Sequence, residues 1–412
     1  MGKFKKNLFI AFILCILCIL YVYICAIDSI PDSVILFKGE ELNVKTIFGL
    51  SLISKEDETV FAVSSIDEET TTTNVEVKLF DSITIKELSI SVIEEATIVP
   101  VGELVGLKIY TNGVLVVGMT QIQGEDGNKY DLIEDSGIEE GDIIIQINDT
   151  QIIDTDQLQD IINSSNGEAL NIIYTRDNEI FETNITPIKT NDEEYKIGLW
   201  VRDSAAGVGT ITFYDIETGY FAALGHGITD VDTGELLDIS DGEVVTTEIL
   251  SVTKGEEGNP GKIQGTIENQ DTIGIIYENT NIGIYGAISD IDSIDIDLNN
   301  SMEVALRDEI ELGEATILCS IEGETPQEYT IEIEKIYLNN NYDNKSMLIK
   351  VTDQDLIEKT GGIIQGMSGC PLIQNGQFIG AITNVLINSP EEGYAVFGDL
   401  MIKEIIGSIT DN

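Results

Sequence analysis

The sequence predicts a mainly β protein that contains one short helix and is preceded by a single apolar segment. Isoleucine, valine and threonine recur in short runs split by Asn, Asp and Gly, which is typical of strands joined by turns. Apart from the apolar segment, which is predicted to be a transmembrane helix, Thr155–Asn163 is predicted to be a helix, because Leu158, Ile161 and Ile162 follow helical spacing. The chain has 412 residues, enough for two or three domains.

The first 27 residues predict a cytoplasmic tip followed by a transmembrane anchor. Lys3, Lys5 and Lys6 precede an uninterrupted apolar run, Leu8–Ile27. As a helix that run spans roughly 30 Å, about one hydrocarbon core. Basic residues before the run and acidic ones after it place the N-terminus in the cytoplasm and the rest outside it. A cleaved signal peptide is the alternative, but the run is long for one and no small-x-small cleavage site precedes Asp28.

The net charge of the chain argues against a nucleic-acid partner. The formal net charge is −51, with 73 acidic and 22 basic residues. Nucleic acid is therefore not expected, because phosphate binding needs clustered Lys and Arg.

No Walker loop, dinucleotide fingerprint or zinc spacing occurs, so we expect neither a cofactor nor a metal. Outside the apolar run only Cys319 and Cys370 remain, and these predict two separate half-buried thiols rather than a disulfide framework.

Residues 28–95 predict a small β-rich stalk or subdomain without chemistry of its own. Short strand-like runs, such as Val34–Phe37 and Val75–Phe80, are separated by acidic residues and by the threonine run Thr70–Thr73.

Residues 96–187 resemble a PDZ domain in the permuted arrangement of bacterial proteases. The most specific part is the phrase SGIEEGDIIIQIN, Ser136–Asn148, which is followed by the Thr155–Asn163 helix and a strand over Leu170–Thr175. PDZ domains bind an extended peptide by adding it to a sheet edge. The resemblance implies that peptide tails bind along Val105, Gly106 and Leu107. The alternative is a PDZ fold that serves only as a spacer.

A polar linker, residues 188–196, leads into a second β region, residues 197–412. Strands are predicted over Gly198–Asp203 and Gly209–Tyr214. Turn signals then recur about every ten residues to the end, which favours a barrel or a sandwich.

The stretch Thr360–Leu372 contains a candidate nucleophile. Ser368 stands between Gly366 and Gly369 in a tight turn closed by a proline. Glycine permits backbone conformations that expose one hydroxyl and turn neighbouring N–H groups toward one point. The N–H groups of Gly366 and Ser368 are thus a candidate oxyanion hole. A glycine-rich hairpin turn with a locally bonded serine is the alternative.

If the serine works with a histidine as its base, that base can only be His226, because it is the only histidine of the chain; a structural role for a lone histidine is the alternative. His226 lies between Gly225 and Gly227, which allows another chain segment to approach the ring. A carboxylate should hold the imidazole in one tautomer. Asp353, Asp355 and Asp230 are alternatives on spacing alone, and we expect a nearby carboxylate to raise the pKa of His226.

The serine turn, the Gly-His-Gly stretch and the segment VTDQDLIEKTGGIIQGMSG closely resemble the SpoIVB peptidases, the stage IV sporulation protein B family. The resemblance runs from about Ile30 to the C-terminus. It implies a chymotrypsin-like double β-barrel with Ser368 as nucleophile, His226 as base and Asp353 as acid. Cys370 and Asn384 depart from the family, in which serine and histidine are expected at these positions.

The resemblance also implies a biological role. Such peptidases are exported from the forespore into the space between two membranes. They cleave the extracytoplasmic part of a membrane regulatory complex, which releases an intramembrane protease that activates a late sigma factor, and they cleave themselves. The alternative is a non-catalytic PDZ scaffold or sensor with a peptidase-like fold. A third hypothesis makes Cys370 the nucleophile, but only Ser368 has the Gly-x-Ser-Gly frame.

Overall fold

The computed structural model describes residues 30–39, 50–54, 71–79, 82–177, 179–267, 271–289, 291, 296–323, 325–338 and 344–410, together with positions 13, 14, 21 and 24. The predicted anchor, Leu8–Ile27, therefore lies outside the described residues except at four isolated positions. No helix within the described part combines the length and apolar character needed to cross a membrane.

Strands dominate the described part of the chain, and helices are few. The first strands are β1 Ser33–Phe37, β2 Leu50–Ser54, β3 Thr71–Leu79, β4 Ile83–Ile93, β5 Thr97–Pro100, β6 Leu104–Met119, β7 Ile122–Gln123, β8 Lys129–Tyr130, β9 Ile143–Ile147 and β10 Thr150–Gln151. Next come α1 Thr155–Ser164, β11 Leu170–Arg176, β12 Glu179–Ile185, β13 Ile188–Lys189, β14 Tyr195–Lys196, β15 Leu199–Asp215, β16 Tyr220–Ala223, β17 Ile239–Val245, β18 Ile249–Thr253, β19 Lys262–Gly265, β20 Thr272–Thr280 and β21 Gly283–Ile288. The last are a 3₁₀ turn Leu298–Asn300, β22 Met302–Glu303, β23 Gly313–Cys319, β24 Gln327–Ile336, β25 Met347–Val351, α2 Gln354–Thr360, β26 Pro371–Gln374, β27 Gln377–Leu386, β28 Ser389–Phe397 and α3 Gly398–Thr410.

Two closed barrels of six antiparallel strands form the centre of the protein. In the first, the hydrogen-bonded order β6-β17-β20-β21-β16-β15 returns to β6. The second closes in the order β23-β24-β25-β28-β27-β26. Inward-facing apolar side chains fill each barrel, with Val244 and Ile276 in the first and Ile317 and Ile349 in the second, all fully buried. The double β-barrel implied by the family resemblance is therefore confirmed.

A smaller α/β unit is inserted in the sequence between β6 and β15, two strands of the first barrel. It consists of β9 to β12, helix α1 and the end of β6. Asp154 caps α1 by accepting a hydrogen bond from the Gln157 N–H at 2.7 Å. Leu158 and Ile162 bury the inner face of the helix. The predicted helix and the predicted strand after it are confirmed to within one residue.

Two long strands belong to both units. β6 has 16 residues and β15 has 17, and they pair with each other along almost their whole length. The first half of β6 also pairs with β17 of the barrel, whereas its second half pairs with β9 of the α/β unit. The α/β unit and the first barrel are thus one continuous sheet.

This arrangement corrects the predicted peptide groove. Gly106 and Leu107 lie between β15 and β17, and Val105 pairs with β15, so both edges of this part of β6 are already occupied by neighbouring strands. Val105 and Leu107 are buried in the core of the first barrel. A Cβ added at Gly106 would lie 2.6 Å from Cγ2 of Val245. These residues cannot accept a further strand, because no free edge remains for it.

The C-terminal helix α3 and the β1–β4 sheet pack against the barrels. Phe213 of the first barrel and Phe378 of the second meet edge to face, with ring centroids 5.1 Å apart. Met401 of α3 and Ile35 of β1 join the same buried cluster. This cluster fixes the two barrels relative to each other, and with them the residues that lie between them.

Candidate active site

The Ser368 turn lies in the second barrel, directly before β26. Gly366 and Gly369 have φ values of 102° and 95°, a region that favours glycine. At Gly369 an added Cβ would lie only 2.2 Å from the Thr210 carbonyl oxygen. Glycine is therefore required there, because the backbone of the first barrel touches the turn. Ser368 itself stays partly exposed, and its Oγ donates to the Thr383 carbonyl at 2.8 Å.

The backbone N–H groups of the turn fall into two sets. Those of Met367, Gly369 and Cys370 donate to carbonyl groups at 2.8–3.1 Å. The N–H groups of Gly366 and Ser368 have no acceptor among the described residues. These two are the donors predicted from the sequence to form an oxyanion hole. Because neither N–H has an acceptor in the described part of the chain, both are free to donate to a ligand oxygen beside the serine.

The His226 loop lies at the end of β16 in the first barrel. Leu224 and Gly225 both adopt left-handed backbone conformations, with φ of 70° and 66°, and this turns the chain out of the strand. A Cβ at Gly225 would lie 3.1 Å from both the Ile382 carbonyl oxygen and Cγ2 of Thr383. The glycine therefore lets the loop pack against β27 of the second barrel.

The His226 ring is held by its own loop. Its Nδ1 lies 2.8 Å from the Gly227 carbonyl oxygen. A carbonyl only accepts hydrogen bonds, so Nδ1 carries the proton and the neutral ring has its lone pair on Nε2. Burial lowers the pKa of His226, and the hydrogen bond to Gly227 offsets this only in part. Burial thus favours the neutral ring, and the hydrogen bond at Nδ1 leaves Nε2 as the atom that can accept a proton.

Contacts between the barrels bring the His226 loop and the Ser368 turn together. The carbonyl of Thr383 accepts a hydrogen bond from the Ser368 hydroxyl, and the side chain of Thr383 packs against Gly225, the residue before His226. Thr210 of β15 makes a second link. Its N–H donates to the Ser368 carbonyl at 3.1 Å, its hydroxyl donates to the Gly366 carbonyl at 2.8 Å, and its own carbonyl accepts from Leu224 N–H at 3.2 Å. The turn that carries Ser368 and the loop that carries His226 therefore lie next to each other, where the two barrels meet.

The predicted acid does not contact the imidazole in this structure. Asp353 is the N-cap of α2, where one carboxylate oxygen accepts from Leu356 N–H at 3.0 Å and the other from Thr330 N–H at 3.4 Å. The expectation that a carboxylate raises the pKa of His226 is wrong, because the dominant cause is burial and it lowers the pKa. The catalytic role of Asp353 stays a prediction from the resemblance.

The two alternative acids are also engaged elsewhere. The buried carboxylate of Asp230 pairs with Arg202 and caps a turn through the N–H groups of Asp232 and Thr233. Burial opposes ionisation of Asp230, but these hydrogen bonds and Arg202 outweigh it and lower its pKa. Asp355 forms a 2.8 Å ion pair with Lys359 on α2.

Sequence reasoning missed Asn279, which holds the backbone after His226. Its amide oxygen accepts from Ile228 N–H at 2.8 Å, and its amide nitrogen donates to the carbonyls of Ile228 and Leu237 at 2.8 and 2.9 Å. Asn279 thereby fixes the segment whose Gly227 carbonyl orients the imidazole. No sequence spacing indicates this role, since the contact joins residues 51 positions apart.

Cys370 is not available as a nucleophile in this arrangement. It is 1% exposed in the core of the second barrel, and Cys319 is fully buried in the same cluster. Both are free thiols. Burial and the neighbouring Cys370 raise the pKa of Cys319, so its thiol form is favoured.

Two barrels with a serine turn on one and a histidine loop on the other, joined to an α/β unit, define a PDZ-containing protein of the double-barrel serine peptidase class. Sequence comparison agrees with this class. The profile of the SpoIVB peptidase S55 family matches residues 193–402, and a PDZ profile matches residues 134–176. Since the first match covers half of the chain, the protein belongs to the SpoIVB peptidase family and is a serine peptidase by class.

Two solved structures are similar to parts of the chain. The PDZ domain of the SdrC-like protein from Listeria monocytogenes is 20% identical, with 22% of this chain and 87% of that chain covered and a TM-score of 0.18. The HtrA-type protease AlgW with a decapeptide is 14% identical, with 76% of this chain and 66% of that chain covered and a TM-score of 0.28. Comparison with curated proteins gives no match.

Proposed function

We propose that the protein is a serine endopeptidase in which Ser368 is the nucleophile and His226 the general base. The observation that carries this proposal is the pair of unpartnered N–H groups, Gly366 and Ser368, on the turn that presents the Ser368 hydroxyl; neither has an acceptor among the described residues. Donors already oriented toward developing negative charge are the largest single contribution in many acyl-transfer enzymes.

The reaction follows from these atoms. Ser368 Oγ attacks the carbonyl carbon of the scissile peptide while His226 Nε2 takes the hydroxyl proton. The carbonyl oxygen becomes an oxyanion and accepts from Gly366 and Ser368 N–H. The imidazolium then protonates the leaving amine as the C–N bond breaks, which leaves an acyl group on Ser368. Water, deprotonated by His226, hydrolyses this ester and restores the free serine.

Family membership supports the biological role. We propose that the protein is anchored in a membrane through residues 1–27, with its peptidase on the extracytoplasmic side. There it cleaves a protein of a membrane-bound signalling complex during sporulation, and it also cleaves itself. We propose that its PDZ unit binds peptide tails of such partners at a sheet edge other than the one predicted.

A phosphonylation experiment tests the catalytic assignment. The full-length protein in detergent is treated with a fluorophosphonate, and the adduct is located by mass spectrometry. We expect one adduct on Ser368 in the wild type and in Ser204→Ala, a control that removes an exposed hydroxyl of β15. Ser368→Ala should gain none, and His226→Ala should react at least about 10³-fold more slowly. Labelling of Ser368→Ala at the wild-type rate would refute the proposal.

A further inference from the structure

The hairpin β18–β19 leaves the first barrel and contacts the Ser368 turn. It is inserted between barrel strands β17 and β20, and within the described part of the chain its two strands form a separate sheet over residues 249–265. Its second strand continues as a parallel bridge to the nucleophile segment. Gln365 N–H donates to the Gly261 carbonyl at 2.9 Å, and Ile263 N–H donates to the Gln365 carbonyl at 2.8 Å.

The second of these hydrogen bonds fixes one donor of the oxyanion hole. The Gln365 carbonyl and the Gly366 N–H belong to the same planar trans peptide, so they point in opposite directions. Because Ile263 holds the carbonyl, the Gly366 N–H must point away from the hairpin. If this peptide rotated by half a turn, its carbonyl oxygen would occupy the place of the N–H, and an oxyanion would meet a negative dipole instead of a donor.

The other oxyanion donor is fixed within the turn itself. The Met367 carbonyl accepts from Cys370 N–H at 3.0 Å, which orients the Ser368 N–H of the same peptide. The two donors thus depend on different supports. The Gly366 donor depends on a segment from the other barrel, whereas the Ser368 donor depends on its own turn.

Close packing makes the hairpin support rigid. A Cβ at Gly261 would lie 2.3 Å from the Thr253 carbonyl oxygen and 2.7 Å from Cγ2 of Ile364. Gly261 thereby lets the hairpin lie directly on the nucleophile segment. The Ile263 side chain is 3% exposed within the core of the second barrel, and a Cβ at Gly366 would lie 3.1 Å from its Cβ.

We propose that Ile263 is a positioning residue of the peptidase and that the β18–β19 hairpin fixes the Gly366 donor of the oxyanion hole. Its backbone N–H acts through the Gln365–Gly366 peptide and never touches the substrate. The inference rests on the proposed function, because it assigns a support for the oxyanion donor proposed there.

A proline substitution tests the N–H itself. Ile263→Pro deletes the donor to Gln365, and because this N–H points away from β18 the hairpin ladder keeps its own hydrogen bonds. The matched control is Ile263→Ala, which shortens the same side chain but keeps the N–H. We expect Ile263→Pro to be phosphonylated at Ser368 about 10²–10³-fold more slowly than Ile263→Ala, the usual effect of losing one oxyanion donor.

A substrate assay separates positioning from general damage. With a peptide substrate cleaved by the wild type, the loss in Ile263→Pro should fall on kcat, with KM changed less than about threefold, because the oxyanion forms only in the transition state. Equal rates for the proline and alanine variants would overturn the inference. Absence of labelling in the wild type would instead refute the proposed function.

A second pair of variants keeps the test decisive if the proline variant does not fold. Gly261→Ala should push the hairpin away from Ile364 and slow phosphonylation at least about tenfold. Gly207→Ala on β15 is its control, since an added Cβ there meets nothing within 4 Å. Wild-type rates in folded Gly261→Ala, with its melting curve as the check of folding, would also overturn the inference.

Discussion

Ser368 Oγ donates its hydrogen bond to the Thr383 carbonyl at 2.8 Å and not to the imidazole of His226. His226 in turn satisfies its Nδ1 proton at the Gly227 carbonyl. Both predicted catalytic side chains are therefore anchored to main-chain carbonyls of the two facing barrels. Catalytic hydrogen bonds are often formed only in the substrate complex. Attack therefore requires the serine hydroxyl to leave the Thr383 carbonyl and donate to the lone pair on Nε2.

The pH dependence should report the burial of His226. Only the neutral ring is a base, and burial favours that form by lowering its pKa. We therefore expect the rate of Ser368 phosphonylation to rise with pH through a midpoint below about 6.5, the ordinary value for histidine. Rates measured between about pH 4 and 9 give this midpoint. A midpoint above about 7 would contradict the prediction and indicate a carboxylate beside the imidazolium.

Two substitutions at Asp353 separate a capping role from a charge role. Asn caps helices about as well as Asp, so Asp353→Asn should keep α2 in place and lose less than about tenfold in phosphonylation rate. Asp353→Ala removes the cap, should cost about 1 kcal/mol of stability, and should impair the reaction more than Asn does.

A catalytic role for Asp353 would give a different phosphonylation rate in the Asp353→Asn variant. If the carboxylate completes a triad in solution, Asp353→Asn should lose about 10⁴-fold, as a triad acid does when the imidazole loses its orientation. Asp355→Asn, in the first turn of α2 on its exposed face, is the matched control for a lost negative charge. We expect it to react at the wild-type rate.

Local patterns predicted the parts of the site that depend on local chemistry. The glycines around Ser368 and His226 indicated two unusual turns, and the structure has left-handed φ values at Gly225, Gly366 and Gly369. The recurring strand and turn signals indicated two β regions. These features arise from residues close in sequence, for which backbone preferences are decisive.

The supports of the site could not be predicted, because they join distant segments. β15 contains Gly207 and Gly209 in its interior, whereas two separate strands, Gly198–Asp203 and Gly209–Tyr214, were predicted from the sequence. In the structure a single strand, Leu199–Asp215, covers both predicted strands. Gly209 lies against Leu224, and a Cβ added at Gly209 would be only 2.2 Å from Cδ2 of Leu224. Glycine there serves close packing and not a turn. Gly261 likewise serves close packing, in its case of the β18–β19 hairpin against Ile364 of the nucleophile segment.

A bulky residue at Gly106 should destabilise the peptidase itself. Gly106 lies between β15 and β17, with Cγ2 of Val245 only 2.6 Å from an added Cβ. Gly106→Trp should therefore abolish both proteolysis of protein substrates and reaction of Ser368 with a fluorophosphonate. Circular dichroism should show loss of the cooperative melting transition. A folded Gly106→Trp protein that still reacts with the probe would contradict this placement.

The ion pair between Arg307 and Asp399 should be costly to break although it lies away from the site. Asp399, in the first turn of α3, is fully buried and accepts from Arg307 Nε at 2.8 Å, from Nη2 at 3.0 Å and from its backbone N–H at 3.2 Å. The Arg307 guanidinium also lies 5.3 Å from the ring centre of Phe397. The pair ties α3 to the segment that connects the two barrels.

Asp399→Asn keeps the shape of this contact but leaves the Arg307 charge buried without a counterion. We expect a loss of about 3–5 kcal/mol in the free energy of unfolding, measured by urea titration. Asp308→Asn removes an exposed carboxylate next to the same arginine and should change stability by less than about 0.5 kcal/mol. The double variant Arg307→Met/Asp399→Leu should recover most of the loss, because an apolar pair needs no counterion. If Asp399→Asn unfolds at the wild-type urea concentration, water reaches Arg307 and the pair does not hold α3 in place.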